Sequence, residues 1–191
     1  MANGTLKVSN IQTSSGSGTI TIGQSGETVT IPSGVTITNS GTATGFGGTN
    51  TPLVAVRAST GQTISSGSNT KVQLDTEMID TDNTFDSSTN YRWSPGVAGK
   101  YYMTGTVSLN IASAGKYMQA LIYKNGSLAS YQQIVAEGTN ATYNATADLI
   151  DDNDGDDYYE LYIRQNTGGD IGLNHSATGL YTRFFGYKLL T

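Results

Sequence analysis

The chain has 191 residues, no cysteine, a net charge of −5 and only 13% charged residues. Without cysteine there is neither a disulfide framework nor a thiolate metal site, so stability has to come from packing or assembly. The ten Lys and Arg are scattered singly among fifteen Asp and Glu, which excludes the basic stripe of a nucleic-acid binder.

Twenty-four glycines suggest low complexity, but twelve Tyr, four Phe and a Trp lie among regularly spaced Val, Ile and Leu. A disordered chain has few aromatics and too little apolar surface to offset its ordering entropy; this chain is expected to fold. At the N-terminus, Met1 to Val8 show no basic stretch followed by an apolar one, so no secretory signal is expected. Nowhere do eighteen apolar residues run together, so no spanning helix and no membrane insertion are expected. Synthesis in a cytoplasm follows as the expectation.

Residues 1–17 read as an anchoring segment, and residues 18–47 as a short β-repeat shaft running into a hinge. In the shaft Ile20 and Ile22, Val29 and Ile31, and Val35 and Ile37 form three apolar pairs, each followed by Gly, Ser, Asn or Pro. Alternation puts each pair on one face of a strand, and the punctuation turns the chain. Strands this short bury no core alone, but they serve as rungs that stack on themselves or on identical chains. A flexible Gly/Ser/Thr linker is the plain alternative. Gly41 to Asn50 carry four glycines and no pattern, and read as the hinge.

Residues 48–191 form the head. Strands are expected over Leu53–Ala58, Thr70–Asp75, Gly99–Ile111, Lys116–Lys124, Leu128–Ala136, Thr139–Ile150, Tyr158–Gln165, Asp170–Asn174 and Thr182–Leu190, at the spacing of a sandwich or jelly roll. Asn125-Gly126 between alternating apolar residues is the strongest hairpin signal, because both turn positions need positive φ. Val107, Leu109 and Ile111 show a period of two. No window keeps an apolar face at helical spacing, so the expected fold is all-β.

One stretch carries a motif. Phe85 leads to Trp93, then Gly99, Tyr101 and Met103. This resembles the C1q-domain signature of an aromatic, five residues, and Gly-x-Tyr-x-aromatic. Met103 stands where the family has Phe, and Phe85 sits one residue off the usual spacing. Gly155-Asp156 before Tyr158 and Tyr159 resembles the family's Gly-Asp lead into a late strand. Phe185, Gly186 and Leu189 resemble its closing aromatic-x-Gly-x-Leu strand. The resemblance covers residues 52–191 and implies a ten-stranded TNF/C1q-type jelly roll, trimeric, with both termini near its base. The residues support a plain physical reading too: Pro95 and Gly96 turn the chain, Gly99 permits a tight start to the strand, and Tyr101 and Met103 pack on one face. The opening Thr5 to Gln12, followed by the Thr/Ile/Gly rungs, resembles the start of small fibre or appendage proteins of tailed phages.

Candidate chemistry is sparse. His175 is the single histidine; Ser176 beside it lacks the geometry and the orienting acid of a nucleophile and base. No nucleophile elbow and no phosphate loop before a helix occur, so no catalytic residue is assigned and no enzyme is expected. The acidic run offers Asp151, Asp152, Asn153, Asp154 and Asp156, with Asp157 beyond them, as hard oxygen ligands of the kind calcium takes. It lacks the Glu at the twelfth position of an EF-hand loop, and a solvated turn between two strands is the plainer reading. Calcium is the one cofactor considered. Tyr91, Tyr131, Tyr143, Tyr158, Tyr159 and Tyr181 are candidates for aromatic platforms towards glycans or protein receptors, or for core and trimer-axis filling.

The sequence-level expectation is a homotrimeric phage virion protein. Residues 1–17 dock on another virion protein, and the head binds a host-surface glycan or protein, its receptor-binding residues unassigned. A capsid decoration or head-fibre protein is the alternative. A secreted C1q-like or lectin-like cellular module fits less well, given no signal peptide and no collagen-type repeat.

Overall fold

A computed structural model describes residues 11–13, 18–38, 40 and 50–189. The chain divides into two units, Met1–Phe46 and Gly47–Thr191. The expected anchoring segment and hinge fall almost wholly outside the described residues.

In the first unit, the described residues between 18 and 38 carry two turns and no strand. The Glu27 amide donates to the Gln24 carbonyl at 3.0 Å, and the Val35 amide to the Pro32 carbonyl at 3.2 Å. All six apolar residues of the three pairs are exposed. Among the described residues of this unit, no rung is formed within one chain. A strand of two or three residues gains too few ladder bonds to hold its own backbone in place without a neighbouring edge.

The second unit is an all-β sandwich with thirteen strands among its described residues. Eight are longer than two residues: β1 (Leu53–Arg57), β4 (Thr76–Asp80), β7 (Gly99–Ile111), β8 (Tyr117–Lys124), β9 (Ser127–Val135), β10 (Ala141–Asn153), β11 (Tyr159–Gln165) and β13 (Arg183–Lys188). The two-residue strands are β2 (Thr63–Ile64), β3 (Thr70–Lys71), β5 (Phe85–Asp86), β6 (Arg92–Trp93) and β12 (Ile171–Gly172). One sheet has the order β10-β7-β13-β1-β4; the other runs β5-β6-β11-β8-β9, with β3 also on β11; β12 and β2 form a separate pair. The named strand pairs are all antiparallel.

Local chemistry explains the ladders. β7 pairs with β10 from Gly99 opposite Asn153 to Ile111 opposite Ala141, and its alternating side chains send Tyr101, Met103, Val107, Leu109 and Ile111 into the core. Asn125 and Gly126 both have positive φ, 51° and 76°, closing the β8–β9 hairpin with Lys124 opposite Ser127. β1 pairs with β13, Leu53 opposite Tyr187, so the head begins and ends side by side.

The core is built around Trp93, which is fully buried. Its ring centroid lies 5.5 Å from Tyr101, 6.2 Å from Tyr159 and 6.3 Å from Phe184, and its Nε1 donates to Thr84 Oγ1 at 2.9 Å. Phe85 pairs with it across the β5–β6 ladder. Gly186 exists to admit the indole: a Cβ there would lie 2.3 Å from Trp93 Cζ3. Gly99, at φ 144°, likewise leaves room for the Lys188 side chain, 2.6 Å from where its Cβ would stand.

Candidate functional site

The inward residues of the five-stranded sheet fill the core, and its outward residues form the first candidate surface. Reading across the ladders, Ile150, Tyr102, Tyr187 and Leu53 stand in one row, and Asp148, Thr104, Phe185, Ala55 and Ile79 in the next. Ile150 is 69% exposed and Ile79 49%. Tyr102 and Tyr187 lie 5.6 Å apart between ring centroids. Leu53, Ala55, Phe185 and Tyr187 line a shallow depression of about 270 Å³. Asp148 ends the second row, and its Oδ1 accepts the Tyr102 hydroxyl at 2.9 Å. That bond, with burial and the carboxylate charge, raises the Tyr102 pKa. In the next row Arg57 and Arg183 stand opposite one another. Each donates to a loop carbonyl, Arg57 to Ala177 and Arg183 to Leu180.

The acidic run resolves into a lysine-centred bracket. Lys124 Nζ lies 2.7 Å from Asp151 Oδ2 and 2.8 Å from Asp157 Oδ2. Tyr159 donates to Asp151 Oδ2 at 2.6 Å, and Asn125 Nδ2 to Asp157 Oδ1 at 2.6 Å. Burial works against the charge of Lys124, yet its hydrogen bonds to the two carboxylates prevail and hold its pKa above the usual value. Burial likewise opposes the Asp157 charge, but Lys124, Asn125 and the Asp154 amide hold its carboxyl below the ordinary range. Burial, and then the bond to Asp151, push the Tyr159 hydroxyl up.

The remaining candidate ligands face elsewhere. Asp152 meets Lys100 at 3.2 Å. Asn153 is buried, donates to the Tyr159 hydroxyl and accepts the Gly155 amide. Asp154 Oδ1 accepts the Asp156 amide. Among the described residues no three acidic, His or Cys side chains are placed to hold a metal ion. The set does not fit calcium, because an ammonium already stands where the carboxylates converge.

His175 Nδ1 lies 3.0 Å from the Ser59 carbonyl, while Ser176 Oγ accepts the amides of Thr178 and Gly179. The two neighbours therefore serve separate loop contacts and form no proton-transfer pair.

The tyrosines divide. Tyr159 is core, Tyr143 packs against the core and accepts the Gly138 amide, and Tyr158 lies 4.5 Å beneath Arg92. Tyr91, at φ 49°, is half-buried. Tyr131 and Tyr181 are exposed. Tyr102 and Tyr187 on one sheet and the stacked Tyr123–Tyr162 pair on the other, 4.2 Å apart, escape sequence reasoning, although outward parity on an aromatic-rich strand marks them. Of the motif residues, Phe85, Trp93, Gly99, Tyr101, Met103 and Gly186 meet in or beside the core. Phe185 faces outward and its neighbour Phe184 fills the interior instead. Leu189 lies past β13, its amide on the Lys100 carbonyl.

No protein-family model matches this sequence, and no curated protein does. Solved structures share the fold. The Eiger TNF structure from S. frugiperda superposes with a TM-score of 0.55 at 8% identity, covering 72% of this chain and 92% of that one. Murine APRIL at pH 5.0 gives 0.55 at 13% identity, covering 72% and 98%. The globular domain of zebrafish complement 1qA protein gives 0.50 at 11% identity, covering 73% and 98%. The head therefore has the TNF/C1q-type jelly-roll fold.

Proposed function

We propose that this chain is a non-enzymatic phage virion protein, a homotrimer whose jelly-roll head attaches to the host surface while residues 1–17 dock on the particle. The observation that supports it is the apolar band of Ile150, Tyr102, Tyr187, Leu53, Phe185, Ala55 and Ile79 on the outward face of the five-stranded sheet. A single copy leaves this band in water. Contiguous apolar surface rimmed by polar groups, here Asp148, Thr146, Arg57 and Arg183, is the signature of an association site. In a closed ring of three the contact is head-to-tail, each copy offering this band to a neighbour's different surface. The exposed apolar pairs of residues 18–38 fit the same account, each rung finding its missing edge on another copy. Three copies of one binding surface turn weak single contacts into durable attachment.

Mass photometry of the full chain tests the assembly. The expected species is three copies of the 20.1 kDa chain; a stable, well-folded monomer overturns it. Labelled trimer is then applied to a panel of bacterial cells and to capsids lacking it. Adhesion to cells supports attachment. A trimer that binds no cell but protects capsids from heat is a decoration protein.

A further inference from the structure

The second outward face, on the sheet containing β11, β8 and β9, holds a different kind of surface. Across its ladders Arg164 stands opposite Gln119, and Gln119 opposite Gln133; the next row places Lys71, Tyr162, Leu121 and Tyr131 side by side. Asn69, Gln119, Leu121, Leu128, Tyr131 and Arg164 line a depression of about 220 Å³, room for one sugar ring. Leu121 makes its apolar floor: it is 3% exposed, yet belongs to this face and not to the core cluster.

Arg164 is the unusual group here. It lines the depression, and none of the ion pairs among the described residues includes it. Glu160, four residues back along the same strand, is already held by Lys71 at 2.5 Å. The planar fork of a guanidinium matches a carboxylate. Asn69 and Gln119 also line it; Asn69 Nδ2 donates to the Tyr123 hydroxyl and Gln119 Nε2 to Gln133 Oε1, which leaves the two amide oxygens as acceptors. They are acceptors for sugar hydroxyls. Tyr131, exposed at the rim, offers an apolar ring face against which a pyranose packs.

We infer that this depression binds a carboxylate-bearing sugar, with Arg164 on the carboxylate, Asn69 and Gln119 on ring hydroxyls, and Tyr131 against the ring. The inference rests on the attachment reading and names its ligand class. The aromatic wall and paired amides favour a sugar acid over an acidic peptide, whose side chain presents no ring to stack. The site lies on the sheet opposite the apolar band.

Saturation-transfer NMR on the full-length protein tests it, with glucuronate and N-acetylneuraminate as probes and glucose, acetate and a glutamate pentapeptide as comparators. The expected result is ring-proton signal from at least one acidic sugar, little from glucose or acetate, and a loss of fivefold or more in Arg164→Gln. Tyr131→Ala, at the exposed rim, should weaken the same signal without disturbing the fold, and serves if Arg164→Gln fails to fold. Signal equal for glucose, signal indifferent to both substitutions, or stronger signal from the pentapeptide each overturns the inference. Cell adhesion is scored in parallel: a trimer that coats cells yet gives no acidic-sugar signal overturns the pocket and leaves attachment standing, whereas failure to coat any cell counts against attachment itself.

Discussion

Replacing Gly186 with alanine isolates the contact on which the head depends. The added Cβ would lie 2.3, 2.8 and 2.9 Å from Trp93 Cζ3, Cε3 and Cη2, where carbon atoms in contact normally keep about 3.5–4.0 Å. Relief needs a shift of about 1 Å by the indole or by β13. The indole has no slack: three aromatic rings flank it and Thr84 holds its Nε1. The cost belongs at the upper end of overpacking, about 3 kcal/mol. Urea unfolding at fixed protein concentration reads it, with Gly172→Ala as the control. A Cβ at Gly172 meets nothing within 4 Å, so the control should stay within about 0.5 kcal/mol of wild type. Trp93→Leu alone should also destabilise, by about 2–4 kcal/mol. The double variant should recover about 1–2 kcal/mol relative to the sum, because the smaller side chain vacates the clash. Strict additivity, or a Gly186→Ala variant as mild as the control, refutes the reasoning.

Other substitutions probe the remaining surfaces. Ile150→Asp combined with Tyr187→Asp places carboxylates in the apolar band and should leave only monomer by mass photometry, where the proposed assembly predicts a wild-type trimer, with the far-UV circular dichroism of the head retained. Lys124→Met leaves Asp151 and nearly buried Asp157 without their cation and should cost about 2 kcal/mol in chemical denaturation, less than a fully buried pair because Lys124 reaches solvent. Calcium or chelator should leave the wild-type melting temperature unchanged, since the ammonium occupies the carboxylate bracket. Asp157 has a lowered folded pKa, so its stabilisation is complete above the unfolded value of about 4 and fades as pH falls towards the folded one. The stability gap between wild type and Asp157→Asn should accordingly be flat at neutral pH and close in acid. Tyr159 has a raised folded pKa, so its contribution holds below about pH 10 and declines above it; Tyr159→Phe should show a shallower alkaline loss.

Much of the head was readable from residue pattern alone. β7 was expected over Gly99–Ile111 and spans those residues, because its alternation is long and bounded by glycine at the start. The hairpin at Asn125-Gly126 was equally plain. β4 carries no clear sequence signal, because Thr76–Asp80 is a sheet-edge strand with polar residues on both sides of its short apolar centre. The two-residue strands leave no periodicity to detect; β5 and β6 exist because Phe85 and Trp93 are drawn inward together. The expected strand over Thr70–Asp75 shrinks to Thr70–Lys71, since Val72 and Leu74 turn into the core where the ladder stops. In the acidic run, local composition suggested a cation site, while the decisive group, Lys124, comes from a hairpin 27 residues earlier. Arg164 and Gln119 are likewise joined only by strand register, which no linear motif encodes.

The position of β13 has a consequence for how the molecule is made. Among the described residues it is the last strand, yet it lies between β7 and β1 and joins the β10-β7 ribbon to the β1-β4 ribbon. Until residues 183–188 have emerged from the ribosome, half of the sandwich stays open. The long sequence separation between β1 and β13 also makes this closure slow compared with hairpin formation. A product stopped before β13 therefore lacks the strand that joins the two ribbons, and with it Phe185 and Tyr187 of the apolar band.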